Sequence, residues 1–328
     1  MKIRVRLALI SLIVLLLTLL ISINVGPIKI NSFNYGNLDQ LHRTILLDIR
    51  IPRALLALIV GSALATSGAV YQTVFRNPLA DPYLLGAAAG AGLGATIALT
   101  NSSSDISALL PIFAFAGAIS AVFISFLISG KFFAEPSTLL LSGIAIGSFA
   151  TAVQTFLQQR HSNSLRPVYS WILGELTAAS WSTVKWAGLY VGLALTVLFT
   201  IRAKLDVLLL SDEEALSLGV NANQLRVIAL AAATFATATA VSASGLIGFV
   251  GIVVPHLVKG ITHQVTNKNL PYIAMTGASF LILADLGART LLSPAELPIG
   301  VLTAFIGAPF FIGILRDRKS TRLNSSHL

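Results

Sequence analysis

Residues 244–260 read SGLIGFVGIVVPHLVKG, an almost wholly apolar run that still carries Gly245, Gly248, Gly251 and Pro255. A simple membrane anchor would be built from Leu and Ile, because in water-based scales glycine weakens a helix by about 1 kcal/mol and proline by about 3 kcal/mol. Hydrophobicity alone does not account for such a segment. On a helix, glycines three residues apart form a ridge free of side chains against which another backbone can lie closely. Pro255, His256 and Lys259 then close the apolar run. The segment reads as a packed, moving part of a membrane bundle.

The composition carries the same message. Of 328 residues, 55% are hydrophobic and 11% charged, against about 25% charged in a soluble domain, and mean hydropathy is +0.84. The chain is expected to be an all-α polytopic membrane protein. A crossing takes about 20 apolar residues, and breaks at charges and at Gly, Pro or Asn leave about ten spans. They fall near residues 7–25, 54–73, 83–100, 108–129, 137–157, 182–201, 227–243, 246–262, 272–290 and 299–315. Only short loops remain, with no room for a soluble catalytic domain.

With both termini in the cytosol, Lys and Arg divide 14 inside to 8 outside, as the positive-inside rule requires. The margin narrows to 11 against 8 without Arg318, Lys319 and Arg322. These lie in 317–328, DRKSTRLNSSHL, a polar tail that reads as either disordered or foreign to the gene. Residues 1–316 are left as a single transmembrane domain. At the other end, Lys2, Arg4 and Arg6 precede the apolar run 7–23. That run exceeds the usual signal-peptide core and no Ala-x-Ala site follows, so it reads as an uncleaved first span. The net charge of +9 belongs to the loops; no basic tract with interleaved aromatics suggests nucleic acid. The absence of cysteine excludes disulfides and thiolate metal sites.

Small residues pattern several spans. Gly86, Gly90 and Gly94 recur at every fourth position, and Gly143 with Gly147 repeats that spacing, so two helices offer close-packing faces. There is also a faint internal echo. Arg53 opens a span reaching Ser67 and Gly68 and then a Pro-containing turn, while Arg226 opens one reaching Ser244, Gly245 and then Pro255, a doubling of the kind transporters use.

The interior loop 202–226 is the most charged. Asp212, Glu213 and Glu214 start a helical pattern behind Ser211 as N-cap, where acids favour the helix dipole; Leu216 and Leu218 follow, and Gly219 stops it. This is a short surface helix, either solvated or docked in the groove of a soluble partner. On the outer side Arg50 and Arg53 flank Ile51 and Pro52, with Arg43 nearby and Arg289 at the end of the ninth span. Such arginines either snorkel to headgroups or meet carboxylates of an exported partner, which Arg binds bidentately. Asp285 stands four residues before Arg289 and can pair with it. The amides Gln72, Asn77, Gln154 and Gln158 are expected to satisfy helix ends or neighbouring helices. His256 has no second His or carboxylate at metal spacing and is assigned no ligand role. Gly130 and Lys131 are followed by Phe132 and lack the upstream glycine of a Walker A loop, so no nucleotide hydrolysis is expected.

Several stretches together resemble the FecCD-type permeases, the BtuC-like membrane subunits of bacterial ABC importers for iron chelates and vitamin B12. They are RIPR at 50–53; Ser67 and Gly68; RNPLADP at 76–82; Leu85 and Gly86; Trp171 with Gly174; Leu218 and Gly219; GLIGFVGIVVPH at 245–256; Leu270 and Pro271; Asp285 with Arg289; ELPIG at 296–300; and Gly307, Pro309 and Phe310. Lys259 stands where relatives usually carry Arg, 262–267 replaces the common Gly-x-Asp-His-Arg turn, and Glu175 follows Gly174 where a small residue is usual.

The resemblance implies a ten-span permease in the bacterial inner (cytoplasmic) membrane, paired with a second copy or a closely related permease. It implies two cytosolic ATPase subunits and a periplasmic or lipid-anchored binding protein. Arg50, Arg53 and Arg289 match positions that meet acids of the binding protein. The loop about 203–226, with Ser211, Asp212, Glu213, Glu214, Leu218 and Gly219, matches the coupling segment in the ATPase cleft. The fifth and tenth spans line the path, which points to Gly143, Gly147, Gln154, Thr303 and Gly307. The chain is then a transport subunit without enzymatic activity, resident cofactor or metal. The expected cargo is a ferric siderophore, with heme or vitamin B12 as the alternative. An ion-driven secondary transporter would want an ionisable residue at mid-membrane, and Asp285 is the only acid well inside an expected span.

Overall fold

A computed structural model describes the backbone of residues 2–28, 39–101, 106–130, 136–161, 164–262 and 267–325, and the side chains of 6–28, 39–100, 109–130, 137–161, 164–262 and 268–313. Within the described residues there are helices and turns but no strand. The helices are α1 (Lys2–Asn24), α2 (Gln40–Thr44), α3 (Ile51–Val74), α4 (Ala87–Asn101), α5 (Ile106–Ile128), α6 (Pro136–Arg160), α7 (Leu165–Ile172), α8 (Trp181–Leu205), α9 (Asp212–Ser217), α10 (Ala222–Ser244), α11 (Val250–Thr262), α12 (Leu270–Thr290) and α13 (Ile299–Ser325). Seven helical stretches are long and apolar enough to cross a membrane, and the shorter apolar stretches Ala87–Thr100, Val250–Thr262 and Ile299–Gly313 accompany them. Seven of the ten expected spans fall on stretches with the length and apolarity of a crossing, and the other three fall on the shorter apolar stretches.

Helix α3 is the axis of the bundle. Its most apolar window, in the helical stretch that begins at Gln40, is 83% buried, against 11% for α1 at the periphery. Small residues let three neighbours reach it. A methyl on Gly61 would stand 2.8 Å from the carbonyl carbon of Gly277, which shows how closely α12 lies. Helix α10 is held by Ser67 Oγ donating to the Ala233 carbonyl at 3.0 Å and by the Tyr71–Thr234 hydroxyl pair at 2.7 Å. Helices α4 and α5 meet where Gly90 faces Gly117, as the glycine spacing predicts.

The third neighbour, α11, explains the opening stretch of sequence. Pro255 sits inside this helix and has no N–H, so the carbonyl of Gly251 loses its helical partner. The amide Nε2 of Gln72 donates to that carbonyl at 3.0 Å, and Lys259 Nζ donates to Gln72 Oε1 at 3.0 Å. Gly68 and Gly251 clear the space for this approach. Interior amides therefore serve a neighbouring helix, as expected.

Other expectations change here. Helix α11 begins at Val250, not 246, so the three glycines do not form one helical ridge. Gly245 takes φ 68°, ψ −162° after α10, a conformation open essentially to glycine alone, and Phe249 also lies at φ 69°. Gly248 has open space beside it, and only Gly251 packs within a helix. Likewise α4 starts at Ala87, because residues 75–86 fold into turns ending at Gly86 with φ 85°. Residues 40–50, expected as loop, are helical and end in a π-helical turn, Ile45–Arg50, whose widened ladder has Ile51 N–H on the Leu46 carbonyl. Pro52 cannot donate to the carbonyl of Asp48, which favours that widening.

Candidate functional site

Four places in the fold gather the residues singled out by sequence. The first is the end of the bundle where α1 stops, α3 starts and α12 stops. Arg50 donates to the carbonyls of Ile23 at 3.0 Å, Asn24 at 3.1 Å and also Ile28, so it caps the open end of α1. Arg289 donates to Ser22 Oγ at 2.8 Å and to the Ser22 carbonyl. Arg53 Nε lies 2.8 Å from Asp285 Oδ1, and its other nitrogens reach Glu296 at 2.9 and 3.1 Å. Arg289 Nε completes the cluster 3.5 Å from Asp285 Oδ2. The structure brings Arg50, Arg53 and Arg289 together, yet leaves them only 4%, 8% and 5% exposed. Their guanidinium groups are spent on internal partners, since a buried charge is tolerated only when paired and hydrogen-bonded.

The second place joins three chain reversals far apart in sequence. Ile299 N–H donates to the Gly174 carbonyl at 3.1 Å, Gly300 N–H to Leu173 at 3.1 Å, and Glu175 N–H to Ser244 at 2.9 Å. Gly174 lies at φ 77° with the Leu246 carbonyl against it. The motif residues at 171–175, 244–246 and 296–300 are thus one backbone-to-backbone seam beside Arg53 and Glu296.

The third is an open cavity of about 810 Å³ between the 76–86 connection, the start of α4 and one face of α6. Gly143 and Gly147 line it, with Asp81, Tyr83, Ser148 and Thr151. A methyl on Gly143 would meet the Leu84 carbonyl at 2.5 Å, so the cavity wall and α6 are in direct contact. Two Asx turns shape that wall, with Leu79 N–H on Asn77 Oδ1 at 3.0 Å and Tyr83 N–H on Asp81 Oδ1 at 2.9 Å. Burial pushes the Asp81 carboxyl up to about 6, partly opposed by the Tyr83 amide. The other expected path residues sit elsewhere. Gln154 is buried against Gly92, Thr303 is fully buried and donates to the Gly300 carbonyl at 3.1 Å, and Gly307 packs on the Phe249 side chain.

The fourth is the acidic helix α9, at the opposite end from Arg53. Ser211 Oγ accepts from Glu214 N–H at 3.3 Å, and Glu214 Oε2 accepts from Ser211 N–H at 2.9 Å, a reciprocal cap that the local sequence announces. That backbone amide holds the Glu214 carboxyl below its ordinary range. Gly219 ends the segment at φ 74°. Arg226 grips both Asp212 oxygens, one of them at 3.0 Å, and holds that carboxyl low, with help from Arg76 at 3.8 Å. Leu216 and Leu218 are left 68% and 61% exposed. These arginine partners were not foreseen, although RNPLADP, a polar knot in an apolar chain, was a visible signal.

The FecCD transport family model matches residues 9–317. The chain belongs to the FecCD family. Among its relatives, the cobalamin import system permease protein BtuC of Halobacterium salinarum is 43% identical over 83% of this chain and 73% of its own length. The hemin transport system permease protein HmuU of Yersinia pestis is 39% identical over 97% and 98%. The Fe(3+)-citrate import system permease protein YfmE of Bacillus subtilis is 35% identical over 95% and 96%. A solved ABC transporter assigned to the metal-chelate type, in an inward-facing conformation, superposes with a TM-score of 0.87 at 29% identity, covering 95% of this chain and 99% of its own. This FecCD chain is therefore a multi-pass ABC-importer permease with the BtuC-like fold. The relatives are transport subunits, and they differ in the cargo they are named for. His256 of this FecCD chain lies edge-on to Phe310 at 5.9 Å between ring centroids.

Proposed function

We propose that this permease carries a ferric siderophore across the bacterial inner membrane, driven by ATP hydrolysis on two cytosolic partner subunits and supplied by a periplasmic or lipid-anchored binding protein. The observation that carries the reading is the 810 Å³ cavity in an FecCD chain, whose wall combines glycines, alanines and hydroxyls with Leu84, Ile144 and the Asp81 carboxyl. Such a wall suits an intact chelate held mainly by shape. Transport requires only that outward and inward states be stabilised differently, with no chemistry on the cargo. Heme and cobalamin fit the same wall by the same argument, and relatives named for them make this the second reading.

Helix α9, with its two exposed leucines and acidic start, fits the part of a helix laid into the ATPase cleft. Pairing with a second copy or a close relative across the cavity belongs to the same reading, since the cavity is open beside α6, where Phe149 is 68% exposed. Arg50, Arg53 and Arg289 give the opposite end a basic centre for an acidic binding protein, through their field and the loops they hold. The test is uptake of radioiron-labelled ferric siderophore into vesicles that hold the complete complex. ATP-dependent uptake is expected. Uptake of labelled heme or cobalamin instead would replace the cargo, and uptake driven by a proton gradient without ATP would refute the importer.

A further inference from the structure

Arg76 occupies a position that neither the cavity nor the coupling segment explains alone. It is the first residue of the 76–86 connection and a non-glycine residue at φ 48°, a left-handed conformation that persists only when the surroundings over-determine it. Its side chain shows what does so. Nε donates to the Leu208 carbonyl at 2.8 Å, the terminal nitrogen donates to the Leu210 carbonyl, and that nitrogen stands 3.8 Å from Asp212. Leu208 and Leu210 belong to the turn that leads into α9, and Asp212 is the first residue of α9. On its other side Asp212 is gripped by Arg226 of α10, which is 4% exposed.

The same connection continues into the cavity. Past Arg76, Asn77 and Asp81 close their Asx turns, and Asp81, Tyr83, Leu84 and Gly86 form one wall of the 810 Å³ space. Tyr83 also donates to the Ile247 carbonyl at 3.1 Å. A displacement of α9 therefore has a short, polar and internally braced route to the cavity wall: Asp212 and the 208–210 carbonyls, Arg76, then ten residues of turn.

We propose that Arg76 is the positioning residue that transmits movement of α9 to the cavity wall. The planar guanidinium is suited to this because it holds two carbonyls and a carboxylate in fixed directions, which a lysine ammonium does not. This inference rests on the reading of α9 as the helix that docks the ATPase, and the two can fail separately.

The natural absence of cysteine allows a direct test. Ser148, exposed on the cavity face of α6, is changed to cysteine in the assembled complex, and its labelling rate by a fluorescent maleimide is measured with and without Mg-ATP. With Arg76 present the rate is expected to respond to ATP. In Arg76→Gln that response is expected to fall about two- to thirty-fold, the span of coupling effects for such positions, while the ATPase still co-purifies. Arg76→Lys is expected to recover only part of it. Asp212→Asn, which removes the carboxylate but leaves the carbonyl contacts of Arg76 in place, is expected to lose part of the response and serves as the second variant should Arg76→Gln fail to fold.

A full ATP response in Arg76→Gln overturns the proposal, as does release of the ATPase by that substitution alone, which would make Arg76 a merely structural hold. The reading beneath it is tested by Leu216→Glu with Leu218→Glu. If the ATPase stays bound to that double variant, α9 is not its docking helix and both ideas fall. If it is released while Arg76→Gln keeps its ATP response, only the transmission role fails.

Discussion

Replacing Gly68 with alanine tests the packing on which the bundle depends. The added methyl carbon would lie 2.5 Å from Cα and 2.6 Å from the carbonyl carbon of Gly251, where ordinary contact begins at 3.4 Å. Both are backbone atoms, so no side-chain rotation relieves the clash, and α3 and α11 must part by about 1 Å. Overpacking of this kind costs about 1–3 kcal/mol. The separation also loosens the Gln72 bond to the Gly251 carbonyl, 3.0 Å, which stands in for the helical bond that Pro255 cannot make, at about 1 kcal/mol. Against this, alanine gains about 1 kcal/mol over glycine within a helix. The net expectation is a loss of about 1–3 kcal/mol. Equilibrium unfolding in mixed micelles with rising SDS, followed by tryptophan fluorescence, measures it. Gly192→Ala in α8 is the control, since nothing lies within 4 Å of its added methyl, and it should be neutral or stabilising. If Gly68→Ala unfolds together with Gly192→Ala, the close approach of α3 and α11 is not a source of stability and the argument fails.

Two further outcomes follow from the charges. Asp285→Asn leaves Arg53 and Arg289 buried with only Glu296 as counter-charge, and should cost about 3–5 kcal/mol in the same unfolding assay; a wild-type curve would contradict the pairing. Asp212 has a carboxyl held below its ordinary 3.8 by Arg226 first and Arg76 after. A lowered acid stabilises above its unfolded value and loses that contribution as pH falls through the lower folded value. Amide exchange across α9, corrected for intrinsic rates, should therefore stay level from about pH 8 to about pH 5 and quicken only in more acid solution, whereas Asp212→Asn should exchange faster throughout. Faster exchange of wild type already at about pH 6 would count against the clamp.

How far each feature could be read in advance depends on the distance over which its cause acts. The cap of α9 was legible because Ser211 and Glu214 are three residues apart and make their bonds within one turn. The pair Asp285 and Arg289 was legible for the same reason, being one turn apart on α12. By contrast Arg53 is 232 positions from Asp285 and 243 from Glu296, and Arg50 finds its carbonyls 22 to 27 positions away in sequence. No local pattern distinguishes an arginine that faces water from one that caps a distant helix. The spacing of Gly143 and Gly147 announced a close-packing face and only the family resemblance pointed to a path; these two line the cavity, whereas Thr303 and Gly307, chosen by the same resemblance, are turned into the packing.

By itself, then, the sequence determined that the chain is a helical membrane protein, roughly where its helices lie, and which family it belongs to. Hydrophobic length, helix caps and motif spelling are all properties of contiguous residues. Only the tertiary structure decided that residues 244–260 split at Phe249 rather than forming one glycine ridge. It alone brought Gln72 to the carbonyl that Pro255 leaves unpaired, drew the basic end of the bundle inward around Asp285, and set Arg76 between the acidic helix and the cavity wall. Each of these turns on a buried polar group finding a partner. In an apolar interior that requirement is strong enough to fix geometry, but its solution lies elsewhere in the chain.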